Sequence, residues 1–159
     1  MTAWNGTLPQ PLAGAEITAT DVDTLRDAIG GVVDTWTSYT PTWSSSGTQP
    51  VLNNGTITGK YIRSGKFVTA NVNLTMGGTT TFGTGTYFLS LPITAASTAD
   101  VGAALIYDSS VDTNRRAGAA VLSTTSLVAF YADGTVAATV PFTWASSDVL
   151  RFTITYEAA

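Results

Sequence analysis

The chain contains no cysteine and no histidine. Without cysteine there are no disulfides, no thiol nucleophile and no thiolate metal site. Without histidine the commonest general base and the commonest transition-metal ligand are missing. The sequence therefore predicts a protein that is not an enzyme and that carries no catalytic, cofactor or metal site.

Charge is also scarce, because only 11% of the residues are Asp, Glu, Lys or Arg. Seven Lys and Arg stand against eleven Asp and Glu, and the net charge of -4 offers no basic stripe for nucleic-acid phosphates. No apolar run is long enough to span a bilayer, and the N-terminus lacks the positive and apolar regions of a secretory signal. We expect a soluble chain that binds neither nucleic acid nor membrane.

Threonine, serine, glycine and alanine are abundant instead, so the surface must consist mainly of hydroxyls, amides and backbone. Such a composition suits a stiff β-protein exposed to an outside environment, or one whose surface is largely covered by sister subunits. We favour the second interpretation.

The clearest structural pattern lies between residues 55 and 76, which read as one β-hairpin. Every second residue from Val68 to Met76 is apolar, and the residues between them are polar apart from Phe67 at the start, the alternation of a half-buried strand. The preceding stretch, Thr56 to Arg63, is rich in β-branched and aromatic residues, and Ser64-Gly65 is the predicted two-residue turn. A half-buried strand of this kind belongs to an antiparallel sheet.

Further short strands follow with turn signals about every ten residues. Pro41 restricts the segment from Thr37 to Trp43 to an edge or to the start of a sheet, and Asp133-Gly134 predicts a turn into a short strand near 136–140. The fold class is therefore all-β, an antiparallel, jelly-roll-like β-sandwich preceded by an extended arm and one short helix. The predicted divisions are an arm at 1–19, a helical neck at 20–36 and a sandwich at 37–159. Predicted strands after the hairpin cover 86–91, 101–107, 117–122, 126–131 and 149–157.

One helix is predicted from Thr20, with Thr20 as N-cap, Asp23 three residues later and Gly30 as the C-terminal cap. Its apolar residues are spaced by alternating steps of three and four, as in a coiled-coil seam. Because about ten residues are too few for a stable isolated helix, this stripe must pack on the β-domain or on copies of itself. We favour self-association, and the predicted oligomer neck consists of Val22, Leu25, Ile29, Val32 and Trp36.

Candidate binding residues are few. Exposed aromatics can stack on sugars, and Arg115-Arg116 is the only adjacent pair of cations. Tyr107, Tyr131, Arg115 and Arg116 are therefore the candidate receptor contacts, with core packing or a solvated turn as the alternative. Alternating oxygen ligands at Asp108, Ser110, Asp112 and Asn114 imitate the start of a calcium loop, but an ordinary polar turn explains them better.

Three stretches carry a resemblance to a known family: Trp36 to Trp43, Asn54 to Lys66, and Met76 to Pro92, the last with the run Met-Gly-Gly-Thr-Thr-Thr-Phe-Gly-Thr-Gly-Thr-Tyr-Phe-Leu-Ser-Leu-Pro. Together they resemble the C-terminal β-domains of minor tail and fibre-like structural proteins of tailed bacteriophages, especially those that infect actinobacteria.

The resemblance implies a virion structural protein, a short homotrimeric fibre or tail knob displayed on a tail or capsid. It also implies attachment to other virion proteins through the N-terminal arm and contact with a host cell-surface glycan. Two alternatives remain open: a capsid decoration protein or head fibre of the same fold, and a free, monomeric carbohydrate-binding module.

Overall fold

The computed structural model describes residues 18–30, 35–111 and 115–159, and for residues 26–30 only the backbone. It contains one helix and nine strands in these ranges, and the chain separates into two units at Thr35 and Trp36. The elements are α1 (Ala19–Gly30), β1 (Thr37–Tyr39), β2 (Trp43–Ser45), β3 (Thr56–Ser64), β4 (Phe67–Thr75), β5 (Tyr87–Ser90), β6 (Val101–Tyr107), β7 (Arg115–Leu122), β8 (Leu127–Tyr131) and β9 (Val149–Glu157).

The helix begins earlier than the sequence predicts. Thr18 is the N-cap: its Oγ1 accepts a hydrogen bond from the Asp21 backbone N–H at 3.3 Å, and its own N–H donates to the Asp21 carboxylate at 2.8 Å. The Thr18 N–H and the Thr18 hydroxyl, which donates to the same carboxylate at 2.7 Å, lower the pKa of Asp21. The predicted N-cap at Thr20 is wrong because Thr18 and Asp21 have the same spacing as Thr20 and Asp23, and both pairs satisfy the capping pattern.

All nine strands belong to one antiparallel sheet, in the order β1-β3-β4-β9-β6-β7-β8-β5-β2. The all-β, antiparallel prediction is confirmed, whereas the predicted two-sheet sandwich is not. The segment from Thr37 to Trp43, predicted as one strand, is instead divided between two short strands, because Pro41 lies in the connection 40–42 and belongs to neither. Both strands are edge strands, at opposite ends of the sheet, as the prediction for an edge position requires.

The connection between those edges shows that the sheet is curled. Only residues 40–42 join β1 to β2, and four steps between Cα atoms reach about 15 Å. Nine strands laid flat would spread over about 38 Å. The sheet must therefore bend until its edges approach each other, and Thr42 contacts the far side by accepting a hydrogen bond from the Ser90 N–H at 3.1 Å.

The core fills the inside of this curl. The apolar residues predicted for the inner face of β4 are all buried, and β9 contributes a second buried row. Aromatic residues close the interior, with Phe130 and Phe152 at 5.2 Å between ring centroids and Trp43 and Tyr87 edge to face at the same distance. The core residues with no exposed surface include Val68, Ala70, Leu74, Tyr87, Leu89, Ile106, Ala120, Val128, Phe130 and Val136.

The β3–β4 hairpin forms as predicted except for the position of its turn. Ser64 pairs with Phe67, so the two-residue loop is Gly65-Lys66 rather than Ser64-Gly65. Gly65 has a φ of 59°, as the first loop position of a type II′ turn requires. The turn shifts by one residue because the glycine must occupy that first position.

The segment after β8 differs more from the prediction. The turn at Asp133-Gly134 is present, with positive φ at both residues. The short strand predicted near 136–140 is wrong, because the chain folds back there and Ala137 and Val140 hydrogen-bond to each other in both directions.

Two buried tyrosines predict how stability responds to alkali. The hydroxyls of Tyr87 and Tyr156 donate to the carbonyls of Phe82 and Ile93 at 2.7 and 2.8 Å. Burial raises the pKa of both side chains, that of Tyr156 to about 12. Since unfolded tyrosine has a pKa of about 10, the unfolded chain loses these protons first as the pH rises.

Their contribution to stability is therefore complete below about pH 10 and is lost as the pH rises toward the folded pKa. We expect the free energy of unfolding, measured by urea titration, to fall by about 1.4 kcal/mol per pH unit for each of the two tyrosines above about pH 10. Tyr156→Phe should make this decline less steep. Equal stability at about pH 9 and about pH 11 would contradict the expectation.

Candidate functional site

The outer face of strands β3, β4 and β9 is a ladder of polar side chains. Side chains that face each other across β4 and β9 are joined by hydrogen bonds. The Thr69 and Thr155 hydroxyls are 2.9 Å apart, Arg151 Nε donates to Asn73 Oδ1 at 2.7 Å, and the Thr153 hydroxyl donates to the side-chain oxygen Oδ1 of Asn71. Cross-strand pairs of this kind stabilise a sheet and hold its side chains in place.

A groove of ≈ 640 Å³ runs over this face, across β3, β4, β9 and β6. Lys60 and Arg151 contribute its two cations, and Ser38, Thr58 and Thr153 contribute hydroxyls. On the β6 side the groove has an apolar wall of Ala103 and Leu105, residues that pair with Thr153 and Arg151. The arrangement combines a polar floor, two positive charges and one apolar side.

The two groove cations form no ion pair with any carboxylate in the described part of the chain. Elsewhere Lys66 lies 3.4 Å from Glu157, and Arg116 lies 2.7 Å from Asp133. Lys60 instead places its ammonium 4.8 Å from the centre of the Trp36 ring. The groove is thus a positive region on a chain whose net charge is -4.

The side-chain oxygens of Asn71 and Asn73 each already accept a hydrogen bond, whereas their amide nitrogens supply donors to the groove. Because a guanidinium only donates, the Asn73 atom that faces Arg151 is its carbonyl oxygen. The Asn71 carbonyl oxygen is likewise occupied by the Thr153 hydroxyl. The Asn73 amide nitrogen donates one N–H to the Thr75 hydroxyl at 3.4 Å and keeps a second, and the Asn71 amide nitrogen is a further donor beside the ammonium and the guanidinium. A ligand that supplies acceptor oxygens fits this set of groups.

No family model, no curated protein and no solved structure matches this chain. Within the described ranges, no helix is long and apolar enough to cross a bilayer, and no cluster of three acidic residues is placed to hold a metal ion. The groove and the residues that the sequence singled out are therefore the features of this chain that bear on its function.

The predicted neck residues are only partly described. Val22 and Leu25 lie on α1 with 47% and 48% of their surface exposed. The side chain of Ile29, and Val32 as a whole, lie outside the described residues. Trp36 lies beyond the end of α1, in the β-domain unit, where its half-exposed ring meets Lys60 at the rim of the groove.

The predicted receptor contacts form two groups, and neither lines the groove. Arg115 stacks on Tyr107, with 4.6 Å from the guanidinium carbon to the ring centre, where β6 and β7 pair. Arg116 reaches across to Asp133, and Tyr131, 45% exposed, ends β8 two residues before that aspartate. Their role in binding stays a prediction.

The loop around Asp108 is organised by its own hydrogen bonds. The Asp108 carboxylate accepts from the Ser110 N–H at 3.0 Å and the Ser110 hydroxyl at 2.6 Å. Nearby Asp148, fully buried, accepts from the N–H groups of Ser109 and Ala145 at 2.8 and 2.7 Å. These are turn-stabilising contacts, and Asp112 and Asn114 of the candidate calcium loop lie outside the described residues.

Sequence reasoning missed the groove. The alternation that revealed β4 and β9 placed Asn71, Asn73, Arg151 and Thr153 on polar strand faces, which was a usable signal. It did not indicate that these two strands are neighbours, and only their pairing brings the four side chains together.

Proposed function

We propose that this chain is a non-enzymatic virion structural protein, a short trimeric fibre or tail knob that contacts the surface of a bacterial host. The observation that carries the proposal is the open groove on the outer face of the sheet, with its hydroxyl, amide and cationic side chains. These are the groups that recognise sugars, and Trp36 adds an exposed indole at the rim.

The position of the groove also supports a binding role. Its side chains stand on hydrogen-bonded strands rather than on loops, and the cross-strand bonds of Asn71 and Asn73 restrict their rotamers. Groups that are held in place before binding lose less entropy when a ligand arrives. Such a surface suits an exposed adhesive domain.

In this proposal the helix around Val22 and Leu25 joins three copies, and the arm before it attaches the trimer to other virion proteins of a tail or capsid. Three weak sites on one particle bind a repetitive surface far more tightly than one, because the later contacts are intramolecular. A capsid decoration protein or head fibre would carry the same domain on a capsid rather than on a tail. The virion protein to which the arm attaches therefore decides between the two locations.

Replacing Leu25 with aspartate is expected to dissociate the trimer into monomers of 16.5 kDa. The half-exposed Leu25 would be covered in the neck, where an unpaired carboxylate is strongly unfavourable. Light scattering at micromolar concentration measures the change. Thr20→Asp is the matched control, because it adds the same charge to the same helix at an exposed position off the stripe. An unchanged solution mass for Leu25→Asp would show that the helix around Leu25 does not hold the copies together.

The groove also favours a second function, a free carbohydrate-binding module. Such a module works as a monomer, so a native mass of one chain together with glycan binding would favour it over the fibre. Retention on bacterial cell walls tests adhesion itself.

A further inference from the structure

We infer that the groove binds an acidic saccharide, a sugar polymer that carries carboxylate or phosphate groups. This inference rests on the proposed adhesive function and names the ligand class of the same site. The residues that carry it are Lys60, Arg151, Asn71 and Asn73, which supply ammonium, guanidinium and amide N–H donors to the groove.

The charge of the groove favours an acidic ligand. Both groove cations lack an ion-pair partner among the described carboxylates, whereas Lys66 and Arg116 have one. A neutral sugar would leave two positive charges uncompensated beneath it, but an oxyanion would form charge-assisted hydrogen bonds with them. The guanidinium of Arg151 is already aligned by its bond to Asn73 and keeps its terminal nitrogens for such a ligand.

The two groove cations are also well separated. Lys60 faces Asn71 on the neighbouring strand, and Arg151 faces Asn73 from the other side of β4. Two strand spacings and a two-residue offset put the Cα atoms of the two cations about 12 Å apart. Separate cations along a groove suit a polymer with repeated acidic groups better than one small anion.

The apolar side of the groove favours a saccharide. Ala103 and Leu105 line one wall, with Leu105 38% exposed, and Trp36 stands at the rim beside Lys60. Sugar rings present apolar C–H faces along with their hydroxyls, so apolar and aromatic surface next to hydrogen-bond donors matches a saccharide better than inorganic phosphate.

The test is calorimetric titration of the intact chain with three soluble probes: a galacturonate oligomer, an oligomer of mannose units joined by phosphodiesters, and the neutral cellohexaose. We expect at least one acidic probe to bind, more weakly as salt is raised, and cellohexaose to bind at least about tenfold less tightly. The galacturonate and mannose phosphate probes decide whether carboxylate or phosphate is the acidic group.

Lys60→Gln and Arg151→Gln should each weaken binding of the acidic probe by about tenfold or more, because each removes a charge-assisted hydrogen bond. Lys66→Gln is the matched control: it removes the same charge at the β3–β4 turn and should leave affinity within about twofold. Asn71→Asp provides an independent variant, because it keeps the acceptor for Thr153 but adds a carboxylate, and it should abolish binding.

Three results would overturn the inference: no binding of either acidic probe, equal binding of cellohexaose, or equal loss of affinity in Lys66→Gln. The adhesive function is tested separately on cell walls. If the chain that carries both Lys60→Gln and Arg151→Gln is still retained on cell walls, the adhesive function stands and only the acidic-saccharide assignment is wrong.

Discussion

Replacing Asp148 with alanine is expected to lower the free energy of unfolding by about 4 kcal/mol, because its buried carboxylate accepts three hydrogen bonds and a hydrogen bond to a charged group contributes about 1.5–3 kcal/mol. Asp148 has no exposed surface, and its carboxylate accepts from the N–H of Ser109, the hydroxyl of Ser109 and the N–H of Ala145. Its own backbone carbonyl accepts from the N–H of Met76 at the end of β4. The residue thus joins the 108–110 loop, the turn before β9 and the hairpin.

Urea unfolding followed by tryptophan fluorescence measures the effect. Glu157→Ala is the matched control, since it removes a carboxylate that is half exposed and pairs with Lys66 at the surface. We expect that control to cost about 1 kcal/mol or less. If Asp148→Ala costs no more than Glu157→Ala, the buried carboxylate is not a structural anchor.

Gly102→Ala is expected to destabilise the fold by about 3 kcal/mol or more, because the new methyl group has no space. A Cβ at this position would lie 2.2 Å from the Thr153 carbonyl oxygen and 2.8 Å from the Ile154 Cα, and both are backbone atoms of β9. Since Thr153 belongs to the groove, the substitution should also weaken ligand binding.

Gly78→Ala is the control for this prediction. Its nearest neighbour would be the Ser146 hydroxyl at 3.8 Å, an ordinary contact, and Gly78 has no positive φ. The free energy of unfolding of Gly78→Ala should differ from that of the unsubstituted chain by less than about 1 kcal/mol. If the two variants have equal free energies of unfolding, the backbones of β6 and β9 do not approach each other closely enough at Gly102 to exclude a methyl group.

The strands were predictable because each carries its own pattern. β6 and β9 have the predicted boundaries, and β4 buries the predicted face, since alternation records which side of a strand avoids water. Alternation does not record how a sheet closes. A sandwich and a curled single sheet bury the same alternate residues, so the single nine-stranded sheet became visible only from the pairing order.

The groove was unpredictable for the same reason. Asn73 and Arg151 are 78 residues apart, and no local signal indicates that β4 pairs with β9. The cation pair at Arg115 and Arg116 was conspicuous in the sequence, but Arg116 forms a surface ion pair and Arg115 covers an aromatic ring. Lys60 and Arg151, each isolated in the sequence, are the cations that the fold brings together over one groove.

The most direct test of the proposed function is retention of the intact chain on purified actinobacterial cell walls, with Leu25→Asp measured beside it. If three copies adhere together, the intact chain sediments with the walls, and the dissociated variant loses avidity by about 100-fold or more. Retention that is equal in both would contradict multivalent attachment. Failure of the intact chain to bind any wall would contradict the adhesive function itself.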